Sequence, residues 1–254
     1  MIAVVAVFFA LALRAEEVAK PYVPSLTFSS VVANKYLAFG NGATLYDKGV
    51  VQSCLDAAFA CGLDVGLWNS VSFKEWNSNY GSELDYFAGW SGDLSKLGIA
   101  SAGLSDINLS AGVTYFDEPN VGTFGAKDIL YSHIKVSKPL SRYFTIMAGY
   151  ENYVAMPGSP YKGANESLYF WGASAGKSIF HDRVCLGTSL SAVYDTGGLG
   201  CDHGMLLRGH AGADWNVSKH VVFNAVGVNY YVPLSVHDSR SLDGVVSSGF
   251  TLHF

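Results

Sequence analysis

Asp243-Gly244-Val245-Val246-Ser247-Ser248-Gly249-Phe250-Thr251-Leu252-His253-Phe254 decides the reading of this chain. Val246, Phe250, Leu252 and Phe254 share one parity; Val245, Ser247, Gly249, Thr251 and His253 share the other. Such period-two alternation marks a strand with one apolar and one mostly polar face. The stretch ends on an aromatic ring, which suits a strand that closes a barrel with the ring at a membrane interface.

Working outward, similar segments recur. Alternating runs cover 26–39, 50–60, 63–73, 83–91, 107–116, 128–139, 144–151, 168–179, 184–194, 205–215 and 221–232. With the final run this predicts about twelve strands, many of them ~10–12 residues long, enough for a tilted strand to cross a bilayer. The stretch 92–106 is ambiguous between a linker and a longer turn. The connectors alternate in length. Those at 61–62, 140–142, 181–183 and 218–219 are short; those at 40–49, 74–81, 117–125, 157–163, 195–203 and 233–243 are long. Short turns at one rim and longer loops at the other are the pattern of an outer-membrane barrel.

Composition agrees. Charged residues make up 15 % of the 254, and aromatics 14 %. A soluble sandwich, the competing all-β architecture, carries more surface charge. The net charge of −5 and the lack of a basic run exclude a nucleic-acid surface. Residues 1–15 read as a signal peptide with an apolar core ending at Leu13, and 16–24 as a short periplasmic segment before a barrel over 25–254. The expected fold is therefore all-β: a transmembrane antiparallel up-and-down barrel in the bacterial outer membrane. Cys54, Cys61, Cys185 and Cys201 fit no zinc spacing and read as small apolar fillers.

If the apolar parity faces lipid, the other parity lines the lumen. That places Gln52, Asp56, Asp64, Asp85, His133, Lys135, Glu151, Arg208, His210 and Asp214 inside. Two readings of these charges stand side by side. They select solutes or ions, or they pair with one another because an unpaired charge in a confined space is costly. Trp90, Tyr115, Tyr150, Tyr194, Trp215 and Phe254 end apolar runs and are expected at the membrane interfaces.

No catalytic constellation emerges. No Gly-x-Ser-x-Gly pattern sits at a strand-to-helix elbow (Gly172–Gly176 lies inside the alternating run 168–179), and His133, His203 and His210 read as hydrogen-bonded structure. Asp202-His203 offers two ligands, too few for a metal, and no P-loop, Rossmann or EF-hand pattern occurs, so no cofactor is expected. Three functional classes remain: a porin-like channel for small solutes or ions, a plugged scaffold docking a periplasmic partner, and, least supported, an outer-membrane lipid or peptide hydrolase.

The segment Ser30-Val31-Val32-Ala33-Asn34-Lys35-Tyr36-Leu37-Ala38-Phe39-Gly40, followed by Tyr46-Asp47-Lys48-Gly49-Val50-Val51-Gln52, resembles the opening of the TorF-type porin family. Gly66-Leu67-Trp68-Asn69-Ser70, Glu83-Leu84-Asp85-Tyr86-Phe87-Ala88-Gly89-Trp90 and Gly112-Val113-Thr114-Tyr115-Phe116-Asp117 resemble its next hairpins. The likeness covers the first half best, and Ala38-Phe39-Gly40 stands where the family carries an Arg-Gly pair. The resemblance implies a Gram-negative outer-membrane barrel with a transport role. It also implies contact with membrane lipid and recognition of the Phe254 end by the outer-membrane assembly machinery.

Overall fold

A computed structural model describes residues 23–38, 40–73, 82–98, 104, 106–117, 128–156, 165–198, 202–235 and 242–254. The segment read as a signal peptide lies outside them.

Among the described residues fourteen strands form (β1 Ser25–Ala33, β2 Tyr36–Leu37, β3 Thr44–Tyr46, β4 Val50–Ala58, β5 Leu63–Ser72, β6 Glu83–Asp93, β7 Asn108–Asp117, β8 Ile129–Ser141, β9 Phe144–Ala155, β10 Asn165–Ile179, β11 Val184–Asp195, β12 Gly204–Ser218, β13 Val221–Pro233, β14 Asp243–His253). Twelve of them close into one antiparallel barrel, in the ring order β1-β14-β13-β12-β11-β10-β9-β8-β7-β6-β5-β4. The closing strand pairs with the first, from Thr27 opposite His253 to Ala33 opposite Ser247. Closure removes both sheet edges and satisfies the ladder groups at every strand, the condition for a sheet to cross a bilayer.

The pleat sorts the side chains. Leu26, Leu55, Leu67, Ile146, Trp171, Leu190, Phe223 and Phe250 all stand exposed on the outside. A surface this apolar does not face water, and it defines the molecule as an outer-membrane β-barrel. Small residues and charges take the inside. β13 carries a bulge between Asn224 and Gly227, which re-phases the strand so that Asn229 and Tyr231 still point inward.

Two boundaries differ from the sequence reading. The first strand stops at Ala33, not at residue 39, and the alternation beyond it belongs to a separate element. Tyr36–Leu37 pairs with Thr44–Tyr46 as a small two-stranded sheet of its own. The ambiguous 92–106 stretch begins with the last two residues of β6, followed by a 3-10 helix, Leu94–Leu97, whose N-cap Asp93 accepts from the Lys96 amide at 3.1 Å. Cys54, Cys61 and Cys185 are free thiols; Cys201 lies outside the described residues.

Candidate permeation pathway and its inward loop

The small sheet decides the state of the lumen. The 34–49 connector leaves the long-loop rim, turns inward and packs against the inner wall. Leu37 and Tyr36 are buried there with Leu168, Phe170, Val193, Leu206, Tyr231 and Val245, side chains from β10 to β14. Leu168 and Val193 are 0 % exposed and Leu206 1 %. Inward-facing residues of an aqueous pore would be wetted. These are as dry as a soluble core.

Glycine permits the turn. Gly42 has φ +74°, a left-handed conformation that costs other residues energy, and a Cβ there would overlap the Tyr231 ring. A Cβ on Gly40 would strike the Tyr153 hydroxyl and Leu168. The two glycines let the backbone lie flat on the wall.

Polar contacts fix it. Arg208 on β12 donates to both carboxylate oxygens of Glu151 on β9, from Nη2 to Oε1 at 2.9 Å and from Nη1 to Oε2 at 3.2 Å. The same Nη1 donates to the Gly40 carbonyl at 3.3 Å. The pair is buried, at 15 % and 4 % side-chain exposure, and the guanidinium lies 5.0 Å from the Phe170 ring centre. A planar fork meets a carboxylate in two parallel bonds, the strongest ion-pair geometry available to side chains. Asn41 Nδ2 donates to Glu166 Oε1 at 2.7 Å. Tyr36 donates to Glu83 Oε2, with its ring 5.6 Å from Trp68. Asp243 accepts from Lys35, and from the Thr44 hydroxyl at 2.7 Å, so the base of the loop is tied to the start of β14. Side chains of β5, β6, β9, β10, β12 and β14 therefore hold one loop.

The expected lumen residues divide by level. Asp85 and Glu151 lie buried in the loop layer, where Arg208 joins them. His133 on β8 stands opposite Glu151 across the β8–β9 ladder, its Nε2 3.4 Å from the Ser110 hydroxyl and its ring 5.6 Å from Tyr131. His210 Nδ1 meets Asn229 Oδ1 at 3.0 Å. Asp214 accepts from Asn224 at 2.9 Å. Asp56 and Asp64 are half-buried neighbours on β4 and β5, and Lys135 is exposed. Sequence reasoning did not single out Lys35, Tyr36, Gly40, Asn41, Glu83, Glu166 or Asp243 as lumen groups. Glu166 falls between the predicted loop 157–163 and the predicted strand from 168, and Asp243 at the end of the predicted loop 233–243; Glu83 is on the inward parity of its predicted strand.

Of the expected interface aromatics, Tyr194 and Trp215 are exposed on the outer face, and Phe254 more so. Tyr150 stands 5.1 Å from Tyr169, and Tyr115 stands 6.4 Å from Tyr86, forming an outward band of paired rings near the long-loop rim. Trp90 differs. It is 6 % exposed, and its Nε1 donates to the Cys61 carbonyl at 2.9 Å, because Gly62 and Gly92 leave room for the indole beneath the short turns. Trp90 is a strut at that rim, not a free ring in lipid.

This geometry defines a class: a twelve-stranded outer-membrane barrel whose lumen is occupied by its own first long connector. The KdgM porin, solved in complex with disordered oligogalacturonate, is similar in fold at TM-score 0.53 and 8 % identity, over 91 % of this chain and 99 % of that one. An outer membrane channel from Pseudomonas putida F1 is similar at TM-score 0.53 and 9 % identity, over 94 % of this chain and 98 % of that one. No protein-family model and no curated protein matches the chain.

Proposed function

We propose that the protein is an outer-membrane channel for small solutes or ions, shut at rest by the 34–49 loop. The observation that carries this reading is the contrast along the barrel axis. The loop layer is packed and dry, yet below it the inner wall is built of Ser, Thr, Gly, Asp and His. Gly187 has open space where its side chain would be, and Gly176 stands exposed. A barrel that served only as a fixed support would gain stability from apolar filling at that level too. A polar half-lumen above a short-turn mouth suits solute passage. In this reading Asp56, Asp64, His133, Lys135, His210 and Asp214 meet the solute, while Asp85, Glu151 and Arg208 hold the gate. The resemblance of 30–40 and 46–52 to the TorF-type porins supports the same role, since these segments cover the end of β1, parts of the inward loop and the start of β4.

The packed loop layer also favours a second reading, a permanently plugged scaffold that docks a periplasmic partner. Planar-bilayer recording separates the two. The channel reading expects discrete, salt-dependent openings from the purified protein, and larger, persistent ones when 35–47 is replaced by a short Gly-Ser bridge. Silence from the intact protein under all voltages and salts, with conductance only after the replacement, favours the plug. Silence from both ends the channel reading. We further propose that β14 and Phe254 form the insertion signal. Deleting Phe254 should lower the membrane-assembled fraction of the barrel; unchanged levels would refute that role.

A further inference from the structure

The inward loop carries Asn41-Gly42, the sole Asn-Gly pair in the sequence. This pair has a reaction of its own. The Gly42 nitrogen can close a five-membered ring on the Asn41 side chain, because glycine has no Cβ to obstruct the approach. A bond forms between Gly42 N and Asn41 Cγ, the Cγ–Nδ2 bond breaks, and ammonia leaves with the amide proton. Water then opens the succinimide. Cleavage at Cγ gives aspartate. Cleavage at the main-chain carbonyl gives isoaspartate, in which the backbone runs through Cγ. Nothing is oxidised or reduced, and water is the one co-reactant.

The seated loop blocks each part of this chemistry. Asn41 is 7 % exposed, so water is kept from it. Its Nδ2, the leaving nitrogen, donates to Glu166 Oε1 at 2.7 Å, and its Oδ1 accepts from the Ala43 amide at 2.9 Å. The attacking Gly42 N–H is turned to the Ala38 carbonyl, to which it donates at 2.9 Å. A loop that leaves the wall loses these restraints together.

Neither product fits the seat. An ionised carboxylate only accepts, so the aspartate product sets an acceptor against Glu166 where a donor stood, and Glu166 is fully buried. Isoaspartate adds a main-chain carbon to a turn that is closed by the Ala38 amide on the Ala43 carbonyl at 2.8 Å and lies against Tyr231.

We propose that Asn41 is a deamidation site that turns the closed barrel into the open one irreversibly: release of the loop starts the reaction, and either product bars its return. This rests on the reading that the loop can leave its seat, and not on conduction.

Two measurements test it on the full chain. Wild-type protein and Tyr36→Phe are incubated in micelles at mildly alkaline pH, and position 41 is followed by peptide mass spectrometry that separates asparagine, aspartate and isoaspartate. Tyr36→Phe removes the donor to Glu83 without touching Asn41. It should raise the released fraction of the loop, and with it the rate of product formation, roughly tenfold. Asn41→Asp and Asn41→Ala form the second arm, since both lose the donor to Glu166 and the first alone adds a charge. Residues 35–47 should exchange hydrogen faster, and be cut more readily by protease, in Asn41→Asp than in Asn41→Ala. These readouts follow the loop itself, so a barrel silent in bilayers would end the channel reading and leave this one standing. Equal rates in wild type and Tyr36→Phe, no product at position 41 in either, or an Asn41→Asp loop as protected as the wild-type loop would overturn the proposal.

Discussion

The two halves of this lumen are built on the same twelve strands and have opposite characters. The half toward the long loops is packed like a soluble core around the 34–49 connector. The half toward the short turns is lined by small and polar groups. The barrel wall does not impose this difference, since every strand passes through both levels. One connector imposes it. Where the connector lies, inward positions carry Leu168, Phe170, Val193, Leu206 and Tyr231. Where it does not reach, the same strands carry Ser174, Gly176, Ser189, His210 and Asn224. Filling a lumen therefore needs two things together: a loop with glycines at its closest approaches, and a matching change in wall residues at that depth.

Substitutions in each half can break or sharpen this contrast. The largest effect should come from Arg208→Ala, which leaves Glu151 buried without its fork. Such a change costs about 3–5 kcal/mol, measurable as a lowered urea or thermal midpoint of the folded barrel. Tyr36→Phe removes the donor to Glu83 and should cost about 1.5–3 kcal/mol, the range for a hydrogen bond to a charged group, with the loop loosened in hydrogen exchange. Gly42→Ala places a methyl group against Tyr231 at a left-handed φ. It should cost roughly 1–2 kcal/mol for the conformation alone and shift the loop outward, raising its protease sensitivity. Ser174→Ala in the open half should change stability by less than about 0.5 kcal/mol, because it removes one hydroxyl from a half-buried position between Thr145 and Ser189. A loss at Ser174 comparable with that at Arg208 would mean that the inner half is not open.

Much of the fold was readable from the sequence because a membrane barrel repeats one simple pattern. Period-two alternation and alternating connector lengths expose the strands, and the final run from 243 to 254 pairs with β1 in the structure as its alternation required. The inward loop was hidden for a physical reason. Tyr36 and Leu37 continue the alternation of β1, so the strand read on to residue 39. Yet they belong to a separate sheet that faces a wall far away in sequence. The break at Asn34-Lys35 and the presence of buried-type residues beside Gly40 and Gly42 were the available signs. Arg208 and Glu151 each fell on the inward parity, but their pairing, and the part Gly40 plays in it, depends on ring position and depth, which local periodicity does not carry. Trp90 shows the same limit. Its parity placed it on the outer face, and only the glycines of the neighbouring turn explain why it is covered.

The central claim is that one loop accounts for closure of this barrel. Its most direct test is the single-molecule conductance of the protein in which 35–47 is replaced by a short Gly-Ser bridge, recorded beside the intact chain under the same salt. The account predicts a persistent, salt-dependent conductance well above that of the intact barrel. A loop-replaced barrel that folds, inserts and still passes no current would contradict it.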